Sequence, residues 1–324
     1  MKIISVFWHS VKPDSINPEI FVFPHPPVSL FRENIIFIVN NYTPISIYEF
    51  IKIGQNAKLK RHYKKPPILL GFDDGFKNVI THALPILEEF NVPALFFVCG
   101  EILKNPDFIP WDSEIVYLLR RTRKRTIYFC KKRFDLDSLL KIGLLRNFVC
   151  SFFRACKSEE ERQKLLNDFA TTLGIDRPVN SLDMDDDYHL VSKEELSSLE
   201  STCLLTIASH AMTHRTLTTM TYEEQKYELE MSDLLFRENV QSYYPTIAYP
   251  QSLFNMDSVR IAKQIYKSAF GGLLGVAYNN IYAYPRLCIG YRTVEELKYV
   301  LSSLYRNIIF PVKRVLHSIG VRKI

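Results

Sequence analysis

The sequence predicts an α/β fold in which short buried strands alternate with helices, built as a parallel barrel or as a doubly wound sheet. Two observations lead to this class. Runs of about five or six apolar residues recur along the chain, with room for a helix between successive runs. The segments between them have helical periodicity or begin with a capping box, in which Ser or Thr is followed three residues later by Glu. About six or seven strand–helix units emerge from this alternation.

The first part of the chain predicts a βαβ unit. Residues 3–8 are apolar and β-branched, which is typical of a buried strand, and residues 29–42 have the pattern of a helix. A second buried strand is predicted at 67–72 and a third at 94–98. Between these two strands, residues 76–90 carry one apolar stripe and predict the connecting helix.

The alternation is interrupted by a charged segment and then resumes. Residues 101–200 are charged, helical in places and basic between 120 and 133, so they are predicted to form a largely helical, basic insertion. The elements predicted after it are a capped helix at 192–195, strands at 204–208, 246–249 and 268–271, a helix that begins at 221, and helices at 257–266 and 293–306. One barrel domain is therefore expected over 1–309, followed by a basic amphipathic tail at 310–324.

Composition excludes some classes of function. The formal net charge of +6 over 324 residues does not indicate a nucleic-acid partner. The six Cys have no metal-binding or redox spacing and favour a reducing compartment. The N-terminus lacks the apolar length of a signal peptide, and no apolar run reaches the roughly 18 residues of a membrane span. A cytoplasmic protein is expected, whose tail either caps the fold or contacts an anionic membrane at its inner face.

Three groups of polar residues directly follow predicted strands. Asp73 and Asp74 end one strand, His210 and His214 follow another, and residues 249–251 follow a third. Because the active site of a parallel α/β fold lies at the carboxyl ends of its strands, these groups are expected to converge. Two His spaced four apart point the same way if the segment turns helically, and with one Asp they offer three metal ligands and an open position. Such a site is catalytic in type.

These groups lie in segments that resemble the polysaccharide deacetylase family, whose members carry a NodB homology domain. The similar segments are "FWHSV", "LLGFDDGFKNVITHALPILEEFNVPALFFVCG", "SHAMTHRTLTTMTYEEQKYELE", "IAYPQS" and "YPRLCIG". They span most of the chain apart from parts of the insertion and the tail, and the "AYP" version of the third motif is similar to one branch of the family. The resemblance implies a distorted (β/α)7 barrel, which agrees with the alternation of strands and helices.

The resemblance also implies roles for the polar residues at the strand ends. Asp74, His210 and His214 would hold a divalent metal ion, usually Zn2+. Asp73 would be the general base that activates a metal-bound water for attack on an acetamide carbonyl. The substrate that this chemistry implies is an N-acetylated saccharide.

The chain departs from the family pattern in the partners of this centre. Many members have Arg and Tyr where this chain has Ala248 and Gln251, and the similarity of the "PRL" segment suggests Arg286 as the replacement for the Arg. The late His that serves the family as general acid is not evident. His9, at the end of the first predicted strand, is the better candidate for that role, and His317 in the tail is a weaker one. Asp73 could also serve both proton-transfer steps.

Residues of the third motif and of the insertion are expected to contact the substrate. A backbone N–H near Gln251, with Tyr249 and Pro250 beside it, is expected to stabilise the oxyanion. Trp111 of "IPWDSE" resembles a family position near the cleft, although a Trp that follows a Pro is more often a packing residue.

The leading functional hypothesis is metal-dependent hydrolysis of the N-acetyl group of a hexosamine, in a saccharide or in a glycan precursor. A lipid-linked or nucleotide-linked precursor would suit the basic clusters. The second hypothesis changes the substrate to a non-sugar amide or an O-acetyl ester, because the four core residues serve any acyl transfer to water. The third is a catalytically silent barrel that binds carbohydrate or a biosynthetic partner, as the missing Arg and general acid would suggest.

Overall fold

The computed structural model describes residues 3–14, 25–199, 204–271 and 280–302 of the chain. Its strands are β1 (Ile4–Trp8), β2 (Thr43–Pro44), β3 (Pro67–Phe72), β4 (Ala94–Val98), β5 (Thr126–Phe129), β6 (Lys132–Asp135), β7 (Leu205–Ser209), β8 (Tyr243–Ala248), β9 (Ser268–Phe270) and β10 (Leu287–Cys288). Its α-helices are α1 (Val28–Asn41), α2 (Ile47–Gln55), α3 (Leu84–Phe90), α4 (Trp111–Arg121), α5 (Leu139–Ala155), α6 (Glu159–Leu173), α7 (Lys193–Ser198), α8 (Tyr222–Asn239), α9 (Met256–Ile265) and α10 (Val294–Leu301).

Seven of the strands form one curled parallel sheet. Their order is β10-β1-β3-β4-β7-β8-β9, and β2 adds a short parallel pairing to β3. After β9, residues 281–284 hydrogen-bond to that strand before the chain reaches β10, which pairs with β1. The two edge strands of the sheet, β9 and β10, are thereby linked through the short segment that begins at residues 281–284. The predicted α/β fold with a distorted barrel is confirmed.

The sequences of the strands are continuous apolar runs because both faces of the sheet are covered by other parts of the protein. Alternate residues of β3 demonstrate this. Ile68, Leu70 and Phe72 pack in the core that the sheet shares with α1 and α3. Leu69 points to the opposite face and packs in the core that contains Phe97. The strands are therefore fixed from both sides, and so are the positions of the residues that follow them.

Most of the predicted elements are confirmed, and the differences are local. β3 and β4 have the predicted bounds. The helix predicted over 76–90 begins with a π-helical segment at Val79–Ala83 and is α-helical only from Leu84. α10 ends at Leu301, and residues 303–324, which include the predicted tail and His317, lie outside the described residues.

Two elements go beyond the sequence predictions. Helix α2 begins with a capping box, in which the Ser46 side chain accepts from the Glu49 N–H and the Glu49 carboxylate accepts from the Ser46 N–H. The hairpin β5–β6 lies inside the insertion, which was expected to be largely helical. It forms there because Ile127 and Phe129 alternate with exposed residues and bury one face of the ribbon.

The insertion has a hydrophobic core of its own. Helices α4, α5 and α6 and the hairpin pack around aromatic residues that include Trp111, Phe153 and Phe169. Part of its basic cluster pairs with acids: Arg120 Nη1 lies 2.7 Å from Asp187 Oδ1. Across the described segments of the chain, no helix combines the length and the apolar character that crossing a membrane requires.

Candidate metal centre

Asp74, His210 and His214 converge at the carboxyl ends of β3 and β7. Asp74 Oδ1 lies 3.2 Å from His210 Nε2 and 3.2 Å from His214 Nε2. The backbone reaches this geometry through two successive left-handed residues, Asp74 (φ 73°) and Gly75 (φ 83°). A Cβ on Gly75 would lie 3.1 Å from Val98 Cγ1, so only glycine fits this turn without a shift. The turn carries Asp74 away from the direction that a continued strand would give it.

The segment that carries the two His is an irregular loop, so the His side chains converge without the helical turn that their spacing would otherwise require. Ala211 (φ 60°) and His214 (φ 58°) are both left-handed, a conformation that His adopts more often than most residues. The Glu228 carboxylate of α8 accepts hydrogen bonds from the backbone N–H groups of Met212 (3.0 Å) and Thr213 (2.9 Å). These N–H groups cannot form helical hydrogen bonds at the same time. Glu228 therefore holds the loop in the shape that brings both imidazoles to Asp74.

The three residues fit a metal ion in chemistry and in spacing. Ligands about 2.0–2.1 Å from a tetrahedral Zn2+ are about 3.4 Å apart, close to the observed separations of 3.2 Å. His210 Nδ1 lies 2.7 Å from the carbonyl oxygen of Ala248, which accepts a hydrogen bond from the Nδ1–H group and leaves Nε2 as the ligand atom. All three side chains are buried, and their ligand atoms lie within 4.8 Å of one another. The group therefore meets the requirements of a three-ligand site.

The charges of this group depend on one another. Burial alone would raise the pKa of the Asp74 carboxyl, but His214 and His210 hold it well below its usual range. Burial would likewise lower the pKa of His214, but the carboxylates of Asp112 and Asp74 raise it well above its ordinary value. The imidazoles thus sit in a field of negative charge that favours a cation among them.

Asp73 is held by Arg286, the residue that the resemblance suggested. Arg286 Nη1 lies 2.7 Å from Asp73 Oδ1, and Nη2 lies 2.8 Å from Oδ2, so two parallel hydrogen bonds fix the carboxylate. The guanidinium is buried and stacks over the ring of Phe7, 4.1 Å from its centroid. The Asp73 N–H also donates to the carbonyl oxygen of Trp8. Asp73 is therefore fixed beside Asp74 without being part of the ligand group.

A cavity of about 260 Å3 opens at these residues. Of the residues that the sequence predicted for the site, those lining it are His9, Asp73, Asp74, His210, His214 and Gln251. Burial would lower the pKa of His9, but a hydrogen bond with the Cys288 side chain and the nearby carboxylates raise it to about 9. His9 therefore lines the same cavity as the ligand group.

Tyr249 and Trp111 are packing residues and do not line this cavity. Tyr249 is fully buried, stacks on Phe254 and donates its hydroxyl hydrogen to the carbonyl oxygen of Tyr282. The Trp111 ring stacks on Phe153, and its Nε1 donates to the carbonyl oxygen of His214 at 3.2 Å. Trp111 thus stabilises the loop that carries His210 and His214, from the side that does not line the cavity. Pro250 is also buried and lies outside the lining of this cavity.

Three residues of the insertion reach the cavity and were not predicted. Asp112, Arg146 and Arg154 line it, from α4 and α5. Asp112 Oδ1 lies 3.5 Å from His214 Nδ1, so this carboxylate faces the ring nitrogen that points away from Asp74. Gln251 Nε2 donates to Asp112 Oδ2 at 3.2 Å. In the sequence, the one feature that could have indicated Asp112 as a site residue is its position next to Trp111 in "PWDSE".

Comparison with known families agrees with this geometry. The family model described as polysaccharide deacetylase matches residues 60–139 and 170–268, which together make up more than half of the chain. The chain belongs to the polysaccharide deacetylase family. The two matched segments include the strand-end residues of β3 and β7 that form the centre and leave out residues 140–169 of the insertion.

Similar proteins of known name or structure include other deacetylases. A poly-β-1,6-N-acetyl-D-glucosamine N-deacetylase of Escherichia coli K12 is 26% identical over 104 residues, which are 32% of this polysaccharide deacetylase chain and 15% of that relative. The structure of the Streptococcus pyogenes deacetylase PplD has a TM-score of 0.59 at 15% identity, covering 93% of this chain and 99% of PplD. A de-N-acetylase from Aggregatibacter actinomycetemcomitans has a TM-score of 0.56 at 16% identity, covering 93% of this chain and 100% of that one. These structures share the fold.

Proposed function

We propose that this protein hydrolyses the N-acetyl group of an N-acetylated sugar, an N-acetylhexosamine in a saccharide or a glycan precursor, with Zn2+ as its metal ion. The observation that carries the proposal is the buried Asp74–His210–His214 group beside a second carboxylate, Asp73, that is held by Arg286. The Escherichia coli relative is named as a poly-β-1,6-N-acetyl-D-glucosamine N-deacetylase, and this similarity supports a sugar amide as the substrate.

The chemistry divides between the ligand group and Asp73. A divalent ion held by Asp74, His210 and His214 would supply Lewis-acid chemistry, polarising a carbonyl and lowering the pKa of water. Asp73 accepts the proton of the attacking water at one carboxylate oxygen. Arg286 keeps both oxygens in place, which aligns the base with the water without further reorganisation.

The remaining steps need an oxyanion donor and a proton for the leaving amine. We assign the first to the backbone N–H of Gln251, a residue that lines the cavity, has a left-handed conformation (φ 56°) and lies three positions after the end of β8. We assign the second to His9, which lines the cavity and is hydrogen-bonded to the Cys288 side chain. The amine then leaves as a neutral product while acetate is released.

The test is acetate release by the purified protein loaded with Zn2+. Substrates are N-acetylglucosamine oligomers, with an O-acetyl ester and a non-sugar acetamide for comparison. Release from the sugar amides in preference to the other two is expected. Asp73→Asn should abolish turnover while metal content stays at one ion per chain, because Asp73 is not in the ligand group. No acetate from any sugar amide, with metal shown to be bound, would overturn the proposal.

The same variant separates an enzyme from a silent binding barrel. A binding barrel would be indifferent to Asp73→Asn, whereas a hydrolase loses its activity. The missing family Arg and the missing general acid were the reasons to consider a silent barrel, and against the first of these Arg286 contacts Asp73. The cytoplasmic location and a membrane contact of the tail stay predictions.

A further inference from the structure

The catalytic cavity contains two arginines that the proposed chemistry does not use. Arg146 and Arg154 come from α5 of the insertion and line the cavity together with Asp73 and His214. They are about two helical turns apart, and both are half-buried. A guanidinium keeps its charge in proteins, so the N–H donors of Arg154 that no protein group occupies need an anion or water as their partner.

Each carboxylate of the cavity already has its own partners. Asp73 is bound through both oxygens by Arg286. Asp74 contacts the two imidazoles of the ligand group. Asp112 accepts from Gln251 and faces His214. None of these three carboxylates forms an ion pair with Arg154 within the described part of the chain.

One hydrogen bond fixes the guanidinium of Arg154, and most of its N–H donors have no partner among the described residues. Its Nε donates to Gln251 Oε1 at 3.0 Å, which fixes the plane of the group at the cavity wall. Arginine has five N–H donors, and the four on Nη1 and Nη2 have no hydrogen-bond or ion-pair partner among the described residues. A planar pair of such donors matches a carboxylate or phosphate group.

From these contacts we infer that Arg154, with Arg146 beside it, forms an anion subsite for the substrate. The substrate would then carry a carboxylate or a phosphate on the acetylated sugar or directly next to it. A cavity of about 260 Å3 lies just below the usual range of ligand pockets, roughly 300–1,000 Å3, so it admits little more than one sugar unit. The anion must therefore be close to the acetamido group. This inference rests on the proposed deacetylation and narrows its substrate class.

The test is binding of product-type ligands, which have no acetyl group to lose, to the metal-loaded protein by calorimetry. Glucosamine 1-phosphate is compared with glucosamine, and a glucuronosyl-glucosamine disaccharide with a glucosamine disaccharide. At least one anionic ligand is expected to bind about tenfold tighter than its neutral counterpart. The pair with the larger preference identifies phosphate or carboxylate as the group recognised.

Variants assign the preference to the arginines. Arg154→Gln should remove most of it, Arg154→Lys should keep part of it, and Arg146→Gln should reduce it. The control is Arg123→Gln, which removes the same charge from an exposed position of the insertion that does not line the cavity. Equal binding of anionic and neutral ligands by the wild-type protein would overturn the inference. So would an undiminished preference in both Arg154→Gln and Arg146→Gln.

Measuring acetate release distinguishes a failure of the anion subsite from a failure of the proposed deacetylase function. N-acetylglucosamine 1-phosphate and neutral N-acetylglucosamine oligomers are compared as substrates. If no substrate releases acetate but the Arg154-dependent binding preference is present, the deacetylase proposal fails and the anion subsite stands. If neutral oligomers are hydrolysed and no binding preference exists, the subsite fails and the deacetylase proposal stands.

Discussion

Arg286 and Asp73, which are 213 positions apart in the sequence, meet through two parallel hydrogen bonds of 2.7 and 2.8 Å. Arg286 directly precedes β10, and β10 pairs with β1, so the last strand of the sheet delivers this guanidinium to the end of β3. Arg286, which precedes β10, therefore lies where it could take the role proposed for the family Arg that is missing before Tyr249. The orientation of the candidate base depends on this one contact.

We expect Arg286→Lys to lower kcat by about 100-fold or more, because an ammonium cannot hold both oxygens of Asp73 and a small displacement of the base is costly. Zn2+ content should not change, since Arg286 does not contact the ligand group. The measurement is acetate release together with metal analysis, and Arg260→Lys, at an exposed position on α9, is the matched control. Wild-type kcat in Arg286→Lys would contradict the orienting role.

Asp112 is expected to strengthen metal binding from outside the ligand group. Its carboxylate faces His214 Nδ1 at 3.5 Å, and such a partner fixes the orientation of the ring and the basicity of the ligand nitrogen. Asp112→Asn should weaken Zn2+ binding by about 10- to 100-fold, measured by competition with a chelator. The control is Asp107→Asn, an exposed acid that precedes α4. An unchanged Zn2+ affinity in Asp112→Asn would show that Trp111 and the loop backbone are enough to orient His214 without this carboxylate.

Glu228 is expected to stabilise the fold as well as the His loop. It is buried and accepts from two backbone N–H groups and from the Thr213 hydroxyl. Glu228→Gln removes the charge from these hydrogen bonds and should lower the free energy of unfolding by about 1–3 kcal/mol. Urea denaturation of the metal-free protein measures this change. Glu230→Gln, two residues further along α8 and exposed, should leave the stability within about 0.5 kcal/mol of wild type.

The sequence predicts the centre of the site better than its surroundings, for a physical reason. Asp74, His210 and His214 follow apolar strands, and parallel strands bring their carboxyl ends together whatever the loops do. Fold class and ligand candidates can therefore be read from local patterns. The loop shape cannot, because it depends on Ala211 adopting a left-handed conformation and on Glu228, a residue of another element.

The insertion is where prediction from sequence fails. Arg154 and Asp112 reach the cavity only because α4 and α5 pack in a second core and turn one side toward the barrel. No local pattern marks a charged residue on an amphipathic helix as facing a cavity and not solvent. Trp111 illustrates the reverse case: it was a candidate substrate contact because it resembles a family position near the cleft, but its ring stacks on Phe153 in that second core.

His25 links stability to pH. Its ring is buried between Phe76 and Tyr188, and neither ring nitrogen has a hydrogen-bond partner among the described residues. Burial, and then the charge of His9, lower the pKa of His25 from 6.5 to about 3. Between these two values the unfolded chain binds a proton that the folded chain does not. The free energy of unfolding therefore falls as pH decreases through this window, by about 1.4 kcal/mol per pH unit at most.

We expect His25→Phe to remove this dependence, because phenylalanine keeps the contacts with Phe76 and Tyr188 and has no proton to gain. Between pH 7 and pH 5 the wild-type protein should lose about 2 kcal/mol of stability that the variant retains. Urea unfolding curves at both pH values, recorded on metal-free protein, give the difference directly. His62→Gln removes an exposed His and should keep the wild-type slope. If His25→Phe keeps that slope too, His25 accepts its proton in the folded state, and the acid sensitivity of the protein must come from other groups.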